Sequence, residues 1–289
     1  MVRESVVRKA VAKALSPEDA KLMLKSVDIV GDIAIIKVPD VLLNKSKAIA
    51  EAILKEMHNI RAVFRQVSPA QSITRVRGLE WLAGENRTET YHREHGCTFK
   101  VDIAKVYFSP RLLYERERIA KLVGRSCEKR FESVLNMFAG VGCFSIVMAK
   151  KAENVIVYSV DINQYAFDYM VENVKLNRLE GRVVPILNDS KRVALSMASK
   201  FTRVLMPLPE LAYEYLSYAI SALRKSGWIH YYDHVHASRN LEALKKAEEK
   251  VAEKLQELGV AYMIDSKRVV RSVGPKISQV VLDIYVEKS

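Results

Sequence analysis

Five residues, Phe138-Ala139-Gly140-Val141-Gly142, join an apolar strand-like run, Val134-Leu135, to a helical run, Phe144-Ser145-Ile146-Val147-Met148, and an acid, Asp161, ends the next strand-like run. A glycine pair at a strand-to-helix turn lets the backbone approach a ligand that a side chain would hold off, and a carboxylate ending the second strand can grip two ribose hydroxyls. The pattern therefore points to an open α/β sheet with a nucleotide-type ligand at the turn. Gly140 and Gly142 lack a third glycine at the dinucleotide spacing. That favours S-adenosylmethionine, which has no pyrophosphate to seat on a helix N-terminus, over NAD. A tight turn in an unrelated α/β protein is the structural alternative.

The rest of the chain supports such a sheet. From Lys105 onward, helices are expected near 110–123, 142–151, 163–177 and 210–225, alternating with strands at 132–136, 155–160, 183–187, 202–206 and 227–233. A long helix carrying Leu241, Leu244, Val251, Leu255 and Leu258 follows and ends at Gly259. Two final strands, near 260–271 and 277–287, would pair antiparallel at the sheet edge. This is the class I, Rossmann-like methyltransferase variant of the doubly wound α/β fold. Residues 1–100 read as a small α+β module with one or two short helices, a strand at 32–38, a helix at 45–57 and a hairpin flanking Glu94-His95-Gly96. The expected division is thus 1–100, an RNA-recognition domain, and 101–289, the catalytic domain.

Ligands of an open α/β sheet bind at the carboxyl ends of its strands. Asn136, Phe138 and Gly140, then Asp161-Ile162-Asn163, Asp189 and the Pro207-Leu208-Pro209 turn all fall there. Asp161 is expected on the ribose and Asp189 on the adenine amino group, with the sulfonium between Gly140 and Pro207. Asp189 can also cap a helix starting at Ser190.

Charge indicates a partner. Lys and Arg number 46 against 34 Asp and Glu, a net +12 that attracts polyanions. Arg61, Arg65, Arg75, Arg77, Arg87 and Arg93 concentrate where helical periodicity is absent, with Phe64, Trp81 and Tyr91 among them. Guanidinium forks interleaved with aromatic faces suit phosphates and unstacked bases. No run approaches a membrane span, and the first residues have no apolar signal region, so a cytoplasmic monomer is expected. Cys97, Cys127 and Cys143 form no C-x-x-C pair, which suggests neither a disulfide framework nor a zinc site.

Four strings carry a resemblance: Gly84-Glu85-Asn86-Arg87-Thr88, the run Val101 to Leu112 containing Lys105-Val106-Tyr107-Phe108-Ser109-Pro110-Arg111, Met137 to Gly142, and His230-Tyr231-Tyr232. In these the chain resembles the archaeal and eukaryal tRNA (guanine-N1)-methyltransferases, which act on the guanosine 3′ of the anticodon, and it does so from about Val27 to the C-terminus. The aminocarboxypropyltransferases of wybutosine synthesis share the fold and several of these strings. The resemblance implies Arg75 as a catalytic arginine and Glu115 as general base. It places Tyr107 near the methionine end of the cofactor or the target base, with a core tyrosine as the alternative. Arg111 and Arg116 are expected beside the cofactor, holding Glu115 ionised. Arg75, Arg77, Arg87, Tyr107, Pro207 and Pro209 are expected on the tRNA. The alternative for Glu115 is a surface ion pair with Arg111 or Arg118.

Two positions depart from the family pattern. Met206-Pro207-Leu208-Pro209 stands where these enzymes usually read Asn-Leu-Pro, and proline supplies neither the amide donor nor a backbone N–H. Asn136 stands where Asp is frequent. A changed pocket could admit a modified guanine, so C7 methylation of a wyosine precursor and aminocarboxypropyl transfer stay as alternatives, as does an RNA-binding protein that keeps the fold without the reaction. Only 26 residues precede Val27, so a separate small domain contacting the outer corner of tRNA, as many relatives carry, is not expected.

Overall fold

The computed structural model describes residues 9–22, 27–68 and 77–288. The chain divides into two compact units, Met1–Leu113 and Tyr114–Ser289. The boundary expected at residue 100 falls within a strand, Cys97–Asp102.

In the first unit a helical stretch, residues 9–14 (α1), and Pro17–Leu22 (α2) precede the sheet, and Ser16 Oγ accepts from the Asp19 N–H as the sequence expects of a helix start. Strands β1 (Val27–Val30), β2 (Ile33–Ile36), β3 (Ala62–Gln66) and β4 (Leu79–Gly84) form a sheet in that order. β1 and β2 are antiparallel across a turn at Gly31, whereas β2 and β3 are parallel. The crossover between them is helix α3 (Ser46–Glu56), whose buried stripe of Ile49, Ala50 and Ile53 joins Ile36 and Val63 in one apolar cluster. A separate hairpin, β5 (Glu89–Glu94) and β6 (Cys97–Asp102), turns at His95-Gly96. Both turn residues have positive φ, 48° and 73°, as a two-residue turn matched to strand twist requires. The hairpin was legible in the sequence; β1, β3 and β4 were not expected, because each is short and β3 and β4 carry Arg65 and Glu80, which blur the apolar alternation.

The second unit holds a seven-stranded sheet in the order β12-β13-β11-β10-β7-β8-β9. Strands β7 (Glu132–Asn136), β8 (Val155–Asp161), β9 (Val183–Leu187), β10 (Phe201–Met206) and β11 (Leu223–His236) are parallel. β12 (Ala261–Gly274) and β13 (Ile277–Glu287) are antiparallel, and β13 lies between β11 and the edge strand β12. The chain runs outward from β7 to β8 and β9, then returns to the other flank of β7 as β10. That reversal opens the crevice of a doubly wound sheet at the carboxyl ends of β7 and β10. Helices α4 (Leu113–Cys127), α5 (Cys143–Lys151), α6 (Gln164–Leu176), α7 (Ser190–Ser196), α8 (Pro209–Ala222) and α9 (Asn240–Glu257) complete the unit.

Alternate residues of the strands face opposite layers. Leu135 and Tyr231 belong to the apolar cluster that contains Ala212 and Leu216 of α8 and Val251 and Leu255 of α9. Their neighbours Asn136 and Tyr232 instead meet Ser145 and Phe144 of α5. Helix α8 was expected to reach residue 225 but stops at Ala222, because Leu223 turns to extended φ/ψ and pairs with Phe201. The last carbonyls of the helix, those of Ser221 and Ala222, accept from the backbone N–H groups of Ser199 and Lys200, and Lys288 Nζ also donates to Ser221. Tertiary pairing has overridden the helix propensity of Leu-Arg-Lys. Among the described residues no helix is long and apolar enough to cross a membrane.

Candidate active site

The glycine turn after β7 is built as its residue types demand. Gly140 and Gly142 have φ of +57° and +89°, a region costly for side-chain-bearing residues, and Gly142 directly precedes α5. The Asp161 carboxylate secures the turn: Oδ2 accepts from Gly140 N–H at 2.7 Å and Oδ1 from Asn163 N–H at 2.9 Å. Burial pushes the Asp161 carboxyl up, and the backbone N–H groups of Asn163, Gly140 and Ile162 act against that push. The residue expected on the ribose is thus first the brace of the loop, with lone pairs to spare beyond these two bonds. Next to it Ile162 is 53% exposed, an open apolar platform beside the strand end. Asn163 caps α6, its Oδ1 accepting from Tyr165 N–H.

After β9, Asp189 caps a helix, the alternative the sequence offered for it. Its Oδ1 caps α7 through Lys191 N–H at 3.0 Å and also accepts from Tyr215 Oη at 3.2 Å. Burial, then the Asp189 charge, pushes the Tyr215 phenol up to about 12. The Tyr215 ring meets Phe138 edge-on at 5.3 Å, so Phe138, Tyr215 and Asp189 gather at one strand-end crevice. Asn136, expected at the cofactor, is instead fully buried: its amide donates to Ser145 Oγ at 3.0 Å, and Ser159 Oγ donates to the same oxygen. It ties β7 to α5. Pro207 is half-buried, and Pro209 is buried as the first residue of α8.

Glu115 lies in the first turn of α4 and is 2% exposed. Tyr232 Oη donates to its Oε1 at 2.6 Å, and the Tyr232 ring meets Phe144 at 6.2 Å, two residues beyond Gly142. Through Tyr232 the carboxylate is linked to α5, the helix that follows the glycine turn. Its cation is Arg118, with Nη2 at 2.8 Å from Oε1 and Nε at 3.0 Å from Oε2, while Arg268 Nη1 stands 3.9 Å from Oε2. The ion pair with Arg118 exists, but it is buried and belongs to a larger group. Arg118 also donates to both oxygens of Asp283, which accepts from Ser266 Oγ and faces His230 Nδ1.

Two families match the chain along its length. The TRM5/TYW2 methyltransferase domain matches residues 90–261, and the TYW2 N-terminal domain matches residues 7–88. The chain is 41% identical over 275 residues to tRNA (guanine(37)-N(1))-methyltransferase Trm5b of Pyrococcus abyssi, covering 93% of this chain and 78% of that protein. The chain belongs to the TRM5/TYW2 methyltransferase family. It is also 36% identical over 271 residues to tRNA 4-demethylwyosine(37)-methyltransferase Taw21 of Saccharolobus solfataricus, covering 92% of this chain and 96% of that one. Among solved structures it is similar to the complex of archaeal Trm5 with leucine tRNA, with a TM-score of 0.81, 38% identity, and 96% of this chain and 77% of that chain covered.

Of the remaining expected residues, Arg77, Arg87, Tyr107 and Arg111 lie in the first unit. Asp28 takes Arg77 Nη1 at 3.0 Å and Arg111 Nε at 2.6 Å. Arg77 also lies over the Tyr107 ring at 5.8 Å. Arg111 was expected to hold Glu115; it pairs with Asp28 instead, and Arg118 holds the glutamate. Arg116 is 2% exposed, within α4. Arg87 grips Asp32 through both terminal nitrogens and donates to Glu85 and the Glu89 carbonyl, so it ties the β1–β2 turn to the hairpin. Arg75 lies outside the described residues.

Sequence reasoning did not single out Arg118, Asp283, His230 and Tyr232 as site residues of this family member. His230 and Tyr232 stood within the resembling strings, and Glu115-x-x-Arg118 has ion-pair spacing. Asp283 carried a signal too: an acid inside the apolar run Val280-Val281-Leu282-Asp283-Ile284 is a buried charge that needs a partner.

Proposed function

We propose that the chain transfers the methyl group of S-adenosylmethionine to N1 of the guanosine 3′ of the anticodon, nucleotide 37, in tRNA. The observation that carries this reading is Glu115: a buried carboxylate that accepts from Tyr232, whose ring packs on Phe144 of α5, the helix that follows the glycine turn. Guanine N1 bears a proton at neutral pH and has no free lone pair. A base must take that proton as the methyl arrives, and negative charge builds on O6. Glu115 takes the N1 proton; a guanidinium answers the charge on O6, and Arg75 is the residue proposed for it. Bound S-adenosylmethionine supplies an electrophilic methyl on sulfonium, whose C–S bond breaks with its electron pair going to sulfur as the N1–C bond forms.

The chain's residues fit this cofactor. Asp161 retains acceptor capacity facing the turn, Ile162 offers an apolar face for adenine, and Asp189 at the next strand end can accept from the adenine amino group. Tyr107, Phe138, Asn163 and Pro207 are proposed beside it. Arg77 and Arg87 with the other arginines of the first unit are proposed to hold the tRNA backbone. The guanosine then flips into the crevice at a cost of about a few kcal/mol.

Pro207 supports a second reading. Without the Asn amide at this position a tricyclic wyosine precursor could be the base methylated, at carbon 7 rather than N1. The test is incubation of S-adenosylmethionine, labelled separately in its methyl and aminobutyrate groups, with tRNA transcripts bearing G or A at position 37 and with tRNA carrying the wyosine precursor there, read by nucleoside mass spectrometry. Methyl label in N1-methylguanosine from the G transcript alone supports the first reading. Methyl label only in tRNA carrying the wyosine precursor supports the second, and aminobutyrate label in RNA would move the chain to the aminocarboxypropyl transferases.

A further inference from the structure

Beneath α4 a line of buried polar side chains crosses one face of the sheet, and the proposed chemistry uses only its first member. It runs from Glu115 to Arg118, Asp283, His230, Arg203 and Glu132. Asp283, His230, Arg203 and Glu132 lie on β13, β11, β10 and β7, and each is at most 4% exposed. Burying this many charges is costly unless each is paired.

The proton positions follow from donor chemistry. Arg203 Nη1 lies 2.7 Å from His230 Nε2, and a guanidinium can only donate, so Nε2 carries the lone pair. The ring proton is therefore on Nδ1, 2.5 Å from Asp283 Oδ1. Burial holds His230 in its neutral form. Burial opposes ionisation of Asp283, but the His230 hydrogen bond and the Arg118 guanidinium overcome it and hold this carboxyl well below the usual range. Asp283 is thus a permanent anion that shares Arg118 with Glu115.

We propose that Asp283, held by His230, is a positioning residue for the base: it keeps half of the Arg118 guanidinium, so that Glu115 can take a proton without leaving a buried cation unpaired. This rests on the reading of Glu115 as the N1 base. With Glu115 and Arg118 alone, proton uptake would strand the guanidinium in a buried site. With Asp283 present a neutral pair remains at every stage. Among the described residues, the groups facing Glu115 are Arg118 on its own helix, Tyr232 on β11 and half-exposed Arg268 on β12, with Asp283 on β13 behind Arg118.

The test is the single-turnover rate of methyl transfer to a G37 tRNA transcript at saturating S-adenosylmethionine, measured against pH. In Asp283→Asn the guanidinium closes fully on Glu115, and a more strongly held carboxylate is a weaker base. The plateau rate is expected to fall by up to about tenfold and the acid limb to move to lower pH, with S-adenosylmethionine affinity unchanged. The double variant Arg118→Met, Asp283→Asn removes cation and anion together, keeps the volume, and provides the measurement if the single variant does not fold. Its acid limb is expected above that of the wild type. Wild-type limbs in the variants would overturn the inference, since a merely structural role lowers the active fraction without moving a limb. Glu115→Gln is run alongside. A full rate in that variant removes the base itself; a slow Glu115→Gln with unmoved limbs in the Asp283 variants removes only the role of Asp283.

Discussion

The Tyr232 hydroxyl donates to Glu115 Oε1 at 2.6 Å across 117 residues of sequence. Tyr232 follows the point on β11 where Tyr231 pairs with Met206, the last residue of β10, and its ring touches Phe144 at the start of α5. One hydrogen bond thus brings a residue of α4 to the carboxyl end of the sheet, where the glycine turn opens.

Replacing that carboxylate by an amide isolates its chemistry. Glu115→Gln keeps an acceptor for Tyr232 but cannot take the N1 proton. The single-turnover rate should fall by about 10²–10⁴-fold, with S-adenosylmethionine and tRNA affinities within about twofold of the wild type. Rapid-quench methyl transfer and equilibrium binding measure the two separately. A variant that keeps the wild-type single-turnover rate would remove Glu115 as the base.

The loop makes a different demand. Asp161→Ala removes the acceptor for Gly140 N–H and Asn163 N–H together, so the turn loses its brace and the ribose loses its carboxylate. Calorimetric titration should show S-adenosylmethionine binding weakened by about tenfold or more, since hydrogen bonds to a charged group contribute about 1.5–3 kcal/mol. Affinity for tRNA should hold. Asp161→Asn should fall between the two, because one oxygen remains as an acceptor and the other becomes a donor facing a donor. Unaltered cofactor affinity in Asp161→Ala would exclude this site.

The glycine turn, the strand–helix alternation and the hairpin at His95-Gly96 were legible because each is written in neighbouring residues: special φ values, period-2 and period-3.6 patterns, and an acid at a strand end. The surroundings of Glu115 were not. Arg118 is three residues away, yet Tyr232 and Asp283 arrive through the pairing of β11 with β13, which places His230 opposite Asp283 and has no local trace. Arg111 illustrates the limit from the other side. Its four-residue spacing to Glu115 fits an ion pair on a helix, but the chain is still in a 3₁₀ turn, Pro110–Leu112, at that point, and Asp28 from β1 takes the guanidinium. Asn136 reads as a strand-end ligand group by position alone, and the pleat turns it inward onto Ser145.

Burial of His230 has a consequence for stability. Its folded-state pKa lies below the ordinary value near 6.5, because burial disfavours the imidazolium. The unfolded chain therefore binds a proton at this position as pH falls below about 6.5, while the folded protein does not. Protons bound to the unfolded state pull the equilibrium toward it, so stability is full above that pH and declines below it. Urea denaturation should give a lower unfolding free energy at pH 5 than at pH 7. In His230→Gln the difference between the two should shrink. An equal pH dependence in variant and wild type would mean that His230 titrates normally or not at all in both states.

Gly142 tests whether the turn tolerates a side chain. Its φ of +89° is unfavourable for any L residue with a Cβ, and an added Cβ would stand 3.0 Å from Met170 Cγ and 3.2 Å from Ile146 Cδ1. Both neighbours are fully buried, and Asn173, on the same helix as Met170, holds the Val141 carbonyl. Gly142→Ala therefore meets backbone strain and a steric demand at once, and should cost about 1–3 kcal/mol of stability. In a unit of this size that lowers Tm by about 2–4 °C per kcal/mol. The loop should also shift away from the ligand, weakening S-adenosylmethionine binding. The two causes separate in a Met170→Ala background. There the contact with Met170 disappears while the φ strain and the Ile146 contact remain, so the Gly142→Ala penalty should shrink without vanishing. If it vanishes, the contact with Met170 was the whole effect; if the penalty is the same in both backgrounds, the cost lies in the backbone and the Ile146 contact. A Gly142→Ala protein with wild-type Tm and cofactor affinity would show that the turn does not require glycine at this position.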